Sequence, residues 1–138
     1  MDEETEFDGA PEDTGILDQQ VFEQILELDD GDQEFLHRLI ENYYTQVNAA
    51  FETLYKSIVN KDLGAVAAIG HSLKGSSASL GLIKMKETSE RLKKIGDYRA
   101  EVEPNMPMDI LMKAASIELD NLKIEFNKVV QLFNYFFE

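Results

Sequence analysis

From residue 17 onward apolar side chains recur every three or four positions, and no stretch shows the sustained alternation of a half-buried strand. Only 3 Pro interrupt 138 residues, so the pattern predicts an all-α fold. Asp18 is placed to cap a short first helix reaching about Leu28, closed by an Asp29-Asp30-Gly31 turn. A second helix is expected from about Asp32 to Asn60, with Phe35, Leu36, Leu39, Tyr43, Val47, Ala50, Phe51, Leu54 and Ile58 on one face. Asp62 caps a third, which carries Leu63, Val66, Ala67, Ile69, Gly70, Leu73 and Ser77 and stops where Leu80-Gly81 supplies a terminal glycine. A fourth, about Lys84 to Asp97, buries Met85, Thr88, Leu92 and Ile95. After a loop with Pro104 and Pro107, a fifth runs from Asp109 toward the C-terminus, burying Leu111, Ala115, Leu119, Leu122, Phe126, Val129, Phe133 and Phe136.

Short connections force neighbouring helices antiparallel, so four inward stripes make an up-down four-helix bundle with an additional short N-terminal helix. The long second and fifth helices, roughly 40 Å each at about 1.5 Å per residue, extend past the shorter pair. The first helix has more apolar surface than capping a bundle requires. Its side chains fall into two stripes, Val21, Ile25 and Leu28 beside Phe22 and Leu26. Either all five are buried, or one stripe is a docking patch for a partner.

Charge changes the picture at the N-terminus. The chain carries 27 Asp plus Glu against 13 Lys plus Arg, a net −14, and residues 1 to 34 hold 14 acids and no base. Such a balance repels nucleic acid and anionic membrane surfaces. Residues 1–15, acidic and with one aromatic, Phe7, are expected to be a disordered tail preceding a single domain over 16–138. Residues 71 to 99 carry a local excess of +4. No apolar window reaches the roughly 20 residues of a spanning helix, and the acidic start lacks the features of a secretory signal, so a soluble intracellular protein is expected. The absence of Cys removes thiolate metal sites and cysteine nucleophiles, and 2 His leave room only for a small constellation.

That constellation lies in the third helix, Gly70-His71-Ser72-Leu73-Lys74-Gly75-Ser76-Ser77-Ala78-Ser79-Leu80-Gly81. Gly75 costs a helix interior about 1 kcal/mol relative to Ala. It lies one turn from His71 on the same face, so the missing side chain clears space beside the imidazole. Lys74 brings an ammonium to that space and Ser76 a rim hydroxyl. Space, a cation and hydroxyls beside a ring nitrogen suit a phosphoryl group bonded to it, with neutral imidazole as nucleophile toward an activated donor. His37 lacks such neighbours. The order of Lys74 and Gly75 is wrong for a nucleotide phosphate loop, and no strand leads in. His71 has no second His or Cys at ligand spacing, so a metal site fails.

The run His71-x-x-Lys74-Gly75-Ser76-Ser77-Ala78-Ser79-Leu80-Gly81 resembles the signature of histidine-containing phosphotransfer (HPt) domains. The Leu28-Asp29-Asp30 turn, Glu34-Phe35, Tyr43-Tyr44 and the C-terminal helix extend the resemblance, toward the single-domain fungal phosphorelay intermediates, over about residues 16–138. The resemblance implies that His71 is phosphorylated, that Lys74 steadies the phosphoryl group and that Gly75 keeps the site open. It implies a four-helix core with a flanking helix whose apolar residues, here Val21, Ile25 and Leu28, dock receiver domains, with Ser72 and Lys93 beside them. It also implies a polar residue on the following helix that orients the imidazole, for which Lys93 and Lys94 are the nearest candidates.

The resulting expectation is a phosphocarrier in a two-component phosphorelay, of the kind used in osmotic stress signalling, and not an ATP-dependent kinase. It takes a phosphoryl group from the receiver domain of a hybrid histidine kinase and passes it to a response-regulator receiver. The protein itself needs no cofactor, Mg²⁺ being expected on the receiver. A monomer, cytoplasmic and nuclear, is expected. The alternatives are a histidine kinase dimerisation domain, disfavoured because Ser72 follows the His where an acid is expected, and a helical adaptor that binds through Val21, Ile25 and Leu28 without chemistry.

Overall fold

A computed structural model describes residues 15–28 and 34–137. Six helices follow one another: α1 (Gln19–Leu28), α2 (Glu34–Val59), α3 (Leu63–Ser79), α4 (Ile83–Gly96), α5 (Tyr98–Glu101) and α6 (Met108–Phe137). No described helix is long and apolar enough to cross a membrane. The expected turn at Asp29-Asp30-Gly31 and the expected tail, apart from Gly15, lie outside the described residues.

Helix starts follow local chemistry. The Asp18 carboxylate accepts from the backbone N–H of Gln20 and of Val21, and Asp62 accepts from that of Ala65 at 3.0 Å, so both acids cap as their positions predict. α3 stops at Leu80 because Gly81 adopts a left-handed φ of +71°, where a side chain is strained. Gly81 has a second task. Its carbonyl accepts from the Asp18 N–H at 2.6 Å, and a Cβ at 81 would meet the Asp18 carbonyl at 3.0 Å. Together with the Ile83 N–H bond to Ile16, this ties the segment before α1 to the α3–α4 turn.

α2, α3, α4 and α6 form the bundle, each packed on its chain or ring neighbour, with α3 diagonal to α6. The core is a continuous cluster including Leu36, Tyr43, Val47, Leu54, Val66, Leu73, Met85, Leu92, Leu122, Val129 and Leu132. α1 adds Phe22 and Ile25 to it. The Phe22 ring lies 5.6 Å from Phe133 and 5.9 Å from Phe137.

Three details differ from the sequence expectation. The connection after α4 contains the helical turn α5, where a plain loop was expected. Phe136 is 43% exposed, because Phe137 occupies the inward position one turn after Phe133, and α6 buries Met112 and Leu132 as well. On α2 the buried set includes Ile40 and Ser57, while Phe35, Leu39, Ala50, Phe51 and Ile58 are half-buried.

Candidate functional site

α3 is built so that one face packs and the other stays open. Val66, Gly70, Leu73 and Ser77 point into the bundle, and His71, Ser72 and Gly75 are exposed. The packed face is held in two ways. Toward α2, Ser77 and Tyr43 share a buried 2.7 Å hydrogen bond between hydroxyls. Toward α4, a Cβ on Gly70 would meet the Lys93 backbone nitrogen at 2.5 Å and the Ser89 carbonyl at 2.7 Å, and a Cβ on Gly96 would meet the Ala67 backbone equally closely. These two glycines let the helix backbones approach, a role that the apolar stripe containing Gly70 hints at and Gly96 does not.

On the open face a Cβ at Gly75 would meet no heavy atom within 4 Å, so the space beside His71 is real. No described residue hydrogen-bonds the His71 ring. Ser76 donates to the Ser72 carbonyl at 3.2 Å and Ser79 to that of Gly75 at 3.0 Å, which turns both hydroxyl protons back along the helix and leaves oxygen lone pairs outward. Gln46 reaches from α2 to donate to the Ser72 hydroxyl at 3.2 Å.

The charges flanking His71 are already paired. Lys74 bonds Glu90 on α4, Lys94 stands 3.9 Å from the other oxygen of Glu90, and Lys93 donates to Asp97 at 3.0 Å. The hydrogen bond from Lys74 holds the Glu90 carboxyl below the usual range, and the hydrogen bond to Asp97 raises Lys93. Arg91 pairs with Glu118 and Lys84 with Glu87. Glu87, Glu90 and Asp97 are already counted in the +4 excess of residues 71 to 99, and among the described residues only Glu118 offsets it from outside the segment, so a net positive charge remains on this face. The Lys74–Glu90 pair joins two helices and leaves no fixed spacing in the sequence, whereas Lys93–Asp97 and Lys94–Glu90 stand at i,i+4, a spacing the sequence does offer. Lys93, an expected orienting residue, has its ammonium on Asp97.

Two grooves run beside α3. One, of about 420 Å³, lies toward α1 and α2 and is lined by Ile25, Leu28, Phe35, Leu39, Tyr43 and Leu80, with Ser76 and Ser79 on its rim. The other, of about 630 Å³, lies toward α4 and is lined by Val21, Lys74, Ala78, Lys86, Glu90 and Arg91 among others. The expected docking residues thus separate. Leu28 is 71% exposed at the apolar groove, Val21 is half-buried at the charged one, and Ile25 is only 8% exposed. The stripe expected to be either core or patch is mixed: Phe22, stacked on Phe133, and Ile25 face inward, leaving Leu26 and Leu28 outside.

The family model of the Hpt domain matches residues 38–123, which span most of α2, the whole of α3, α4 and α5, and about half of α6. This chain belongs to the Hpt domain family. Among its relatives, the Multistep phosphorelay regulator 1 of Schizosaccharomyces pombe is 35% identical over 119 residues, 81% of this chain and 40% of the relative. The Phosphorelay intermediate protein YPD1 of Candida albicans is 36% identical over 85 residues, 62% of this chain and 46% of the relative. The chain thus spans half or less of the length of these curated relatives. The fold is that of the crystal structure of Ypd1p in its triclinic form, with a TM-score of 0.77 at 22% identity, covering 88% of this chain and 93% of that one. A Saccharomyces cerevisiae Ypd1 co-crystallised with the receiver domain of its downstream response regulator Ssk1 superposes with a TM-score of 0.76 at 22% identity, covering 88% of this chain and 94% of that one. In this chain His71 lies within the matched residues, on the exposed side of α3.

Proposed function

We propose that this HPt domain is a phosphocarrier: His71 accepts a phosphoryl group from the aspartyl phosphate of one receiver domain and gives it to the aspartate of another. The observation that carries this is the exposed His71 imidazole with open space where the Gly75 side chain would be and the Lys74 ammonium one turn along. Relatives named as phosphorelay proteins, and a structural neighbour crystallised with a receiver domain, support the same reading.

In the forward step the lone pair of the unprotonated ring nitrogen attacks phosphorus. The N–P bond forms as the P–O bond to the aspartyl group breaks, and the carboxylate leaves with the electron pair. The proton on the other ring nitrogen stays, so no base is required. The next receiver reverses the sequence: its carboxylate attacks, and neutral imidazole leaves. Mg²⁺ belongs, in this reading, to the receiver. This chain supplies the nucleophile, the Lys74 charge, an apolar groove around Leu28 that excludes water, and no ATP-dependent kinase activity.

The test is to mix the chain, and its His71→Gln variant, with a phosphorylated receiver domain and follow the label. Rapid transfer to the unaltered chain only, giving an acid-labile and base-stable product, is the expected result. Transfer retained in His71→Gln would overturn the assignment. Binding without transfer would leave an adaptor.

A further inference from the structure

We infer that Lys93 is a second cation for the phosphoryl group on His71, held in reserve by Asp97 until that group arrives. The inference rests on the phosphocarrier reading and adds a residue to it. The backbone of Lys93 occupies the place where a Cβ of Gly70 would be, so the two helices meet backbone to backbone one residue before His71. Lys74, three residues after His71, meets α4 at Glu90. The α4 segment opposite the nucleophile therefore runs between Glu90 and Lys93, and the four-carbon stem of Lys93 starts at that seam. Its side chain is about one-third exposed, and a flexible four-carbon stem lets the ammonium change partners.

The pairing around His71 is arranged for such a change. Glu90 is shared by Lys74 and Lys94, so Lys74 can turn to a new anion while Glu90 keeps a partner. Lys93 is held by Asp97, whose side chain makes no cap bond at the start of α5. Before phosphorylation Lys74, Lys93 and Lys94 share two carboxylates, Glu90 and Asp97. A phosphoryl group brings about −1.5 to −2 charges and three acceptor oxygens, against one charge on Asp97, so it is the stronger partner for Lys93. Cations on its oxygens stabilise the bound group more than the loose transition state of N–P cleavage, in which charge leaves those oxygens for the departing ring. Lys93 would thus slow loss of the group to water.

The test is the lifetime of the phosphohistidine. The unaltered chain, Lys93→Gln, Lys93→Arg and Asp97→Asn are each labelled from a phosphorylated receiver domain and freed of it, and decay is followed by phosphorus NMR, with helicity checked by circular dichroism. Lys93→Gln should shorten the lifetime about threefold, the size that a partly exposed ion pair supports. Asp97→Asn should lengthen it by releasing Lys93, and Lys93→Arg should restore it. A Lys93→Gln lifetime equal to that of the unaltered chain would overturn the inference. So would a shortening in both Lys93→Gln and Asp97→Asn, which would mean a disturbed seam. Failure of the unaltered chain to take label is the separate outcome that removes the phosphocarrier reading itself.

Discussion

The two sides of α3 solve different problems with different materials. Toward α4 the contact is backbone on backbone, made possible by Gly70 and Gly96, and its outer edge is a row of paired charges: Lys74 with Glu90, Lys94 with Glu90, Lys93 with Asp97. Toward α1 and α2 the contact is side chain on side chain, with one buried hydroxyl pair and an apolar groove open to solvent at Leu28. His71 stands on the ridge between them. In the proposed phosphocarrier a phosphoryl group would need charge and fixed geometry on one flank and an apolar surface for the incoming protein on the other, and the close-packed seam and the apolar groove would supply them.

The largest expected effect is at the seam. Gly70→Leu drives a side chain into the Lys93 and Ser89 backbone, which no rotamer change can relieve, and should cost about 3 kcal/mol in urea unfolding. A cost under about 1 kcal/mol would show that the seam is not rigid.

Next comes the groove side, where α1 divides its own stripe. Ile25→Ala empties a nearly buried position and should cost about 2 kcal/mol of stability. Leu28→Ala removes surface that is already in water and should change stability by less than about 0.5 kcal/mol, while weakening binding to a receiver domain by about 1 kcal/mol in titration calorimetry. Equal effects of the two substitutions on both measurements would erase the distinction between core and docking surface.

How much of this was legible in advance depends on the range of the interaction. Caps at Asp18 and Asp62, the stop at Gly81 and the space at Gly75 involve residues within four positions of each other, and the periodic stripes placed all four bundle helices. The partner of Lys74 was hidden, because whether Lys74 meets Glu90 depends on how closely two helices approach, and that depends on Gly70 and Gly96, whereas Asp97 stands four residues after Lys93 at a spacing that can be read. The inward turn of Ile25 was equally hidden. A helix with apolar residues over a wide arc can lie on a bundle in several rotations, and it is the stacking of Phe22 on Phe133 that selects one. Phe136 was misplaced for a related reason: steps of three and of four both follow from position 133, and only the packing of Phe22 chooses position 137.

The buried hydroxyl pair gives a smaller and pH-dependent signature. Ser77→Ala leaves the Tyr43 hydroxyl without its partner and should cost about 1.5 kcal/mol. Burial also raises the Tyr43 phenol above its ordinary value and pushes that of Tyr44 up to about 12. The folded chain then holds protons that the unfolded chain releases near pH 10, so stability should be intact below about pH 10 and fall as pH rises through 10 to 12. The urea midpoint measured against pH should show that decline, and Tyr43→Phe should flatten it. An unchanged slope would place the alkaline transition elsewhere.

An effect of the opposite sign lies on the ridge itself. A methyl at position 75 meets nothing, so Gly75→Ala should stabilise the helix by about 1 kcal/mol through the lost flexibility of the unfolded chain, with transfer little changed. Gly75→Gln should share that gain in urea unfolding but slow transfer from a phosphorylated receiver, because its longer side chain fills the space beside the imidazole. Stability up and transfer down in one variant would mean that the glycine at 75, unlike the one at 70, is kept for the reaction and against the fold. Unimpaired transfer in Gly75→Gln would mean that the incoming phosphoryl group does not use that space.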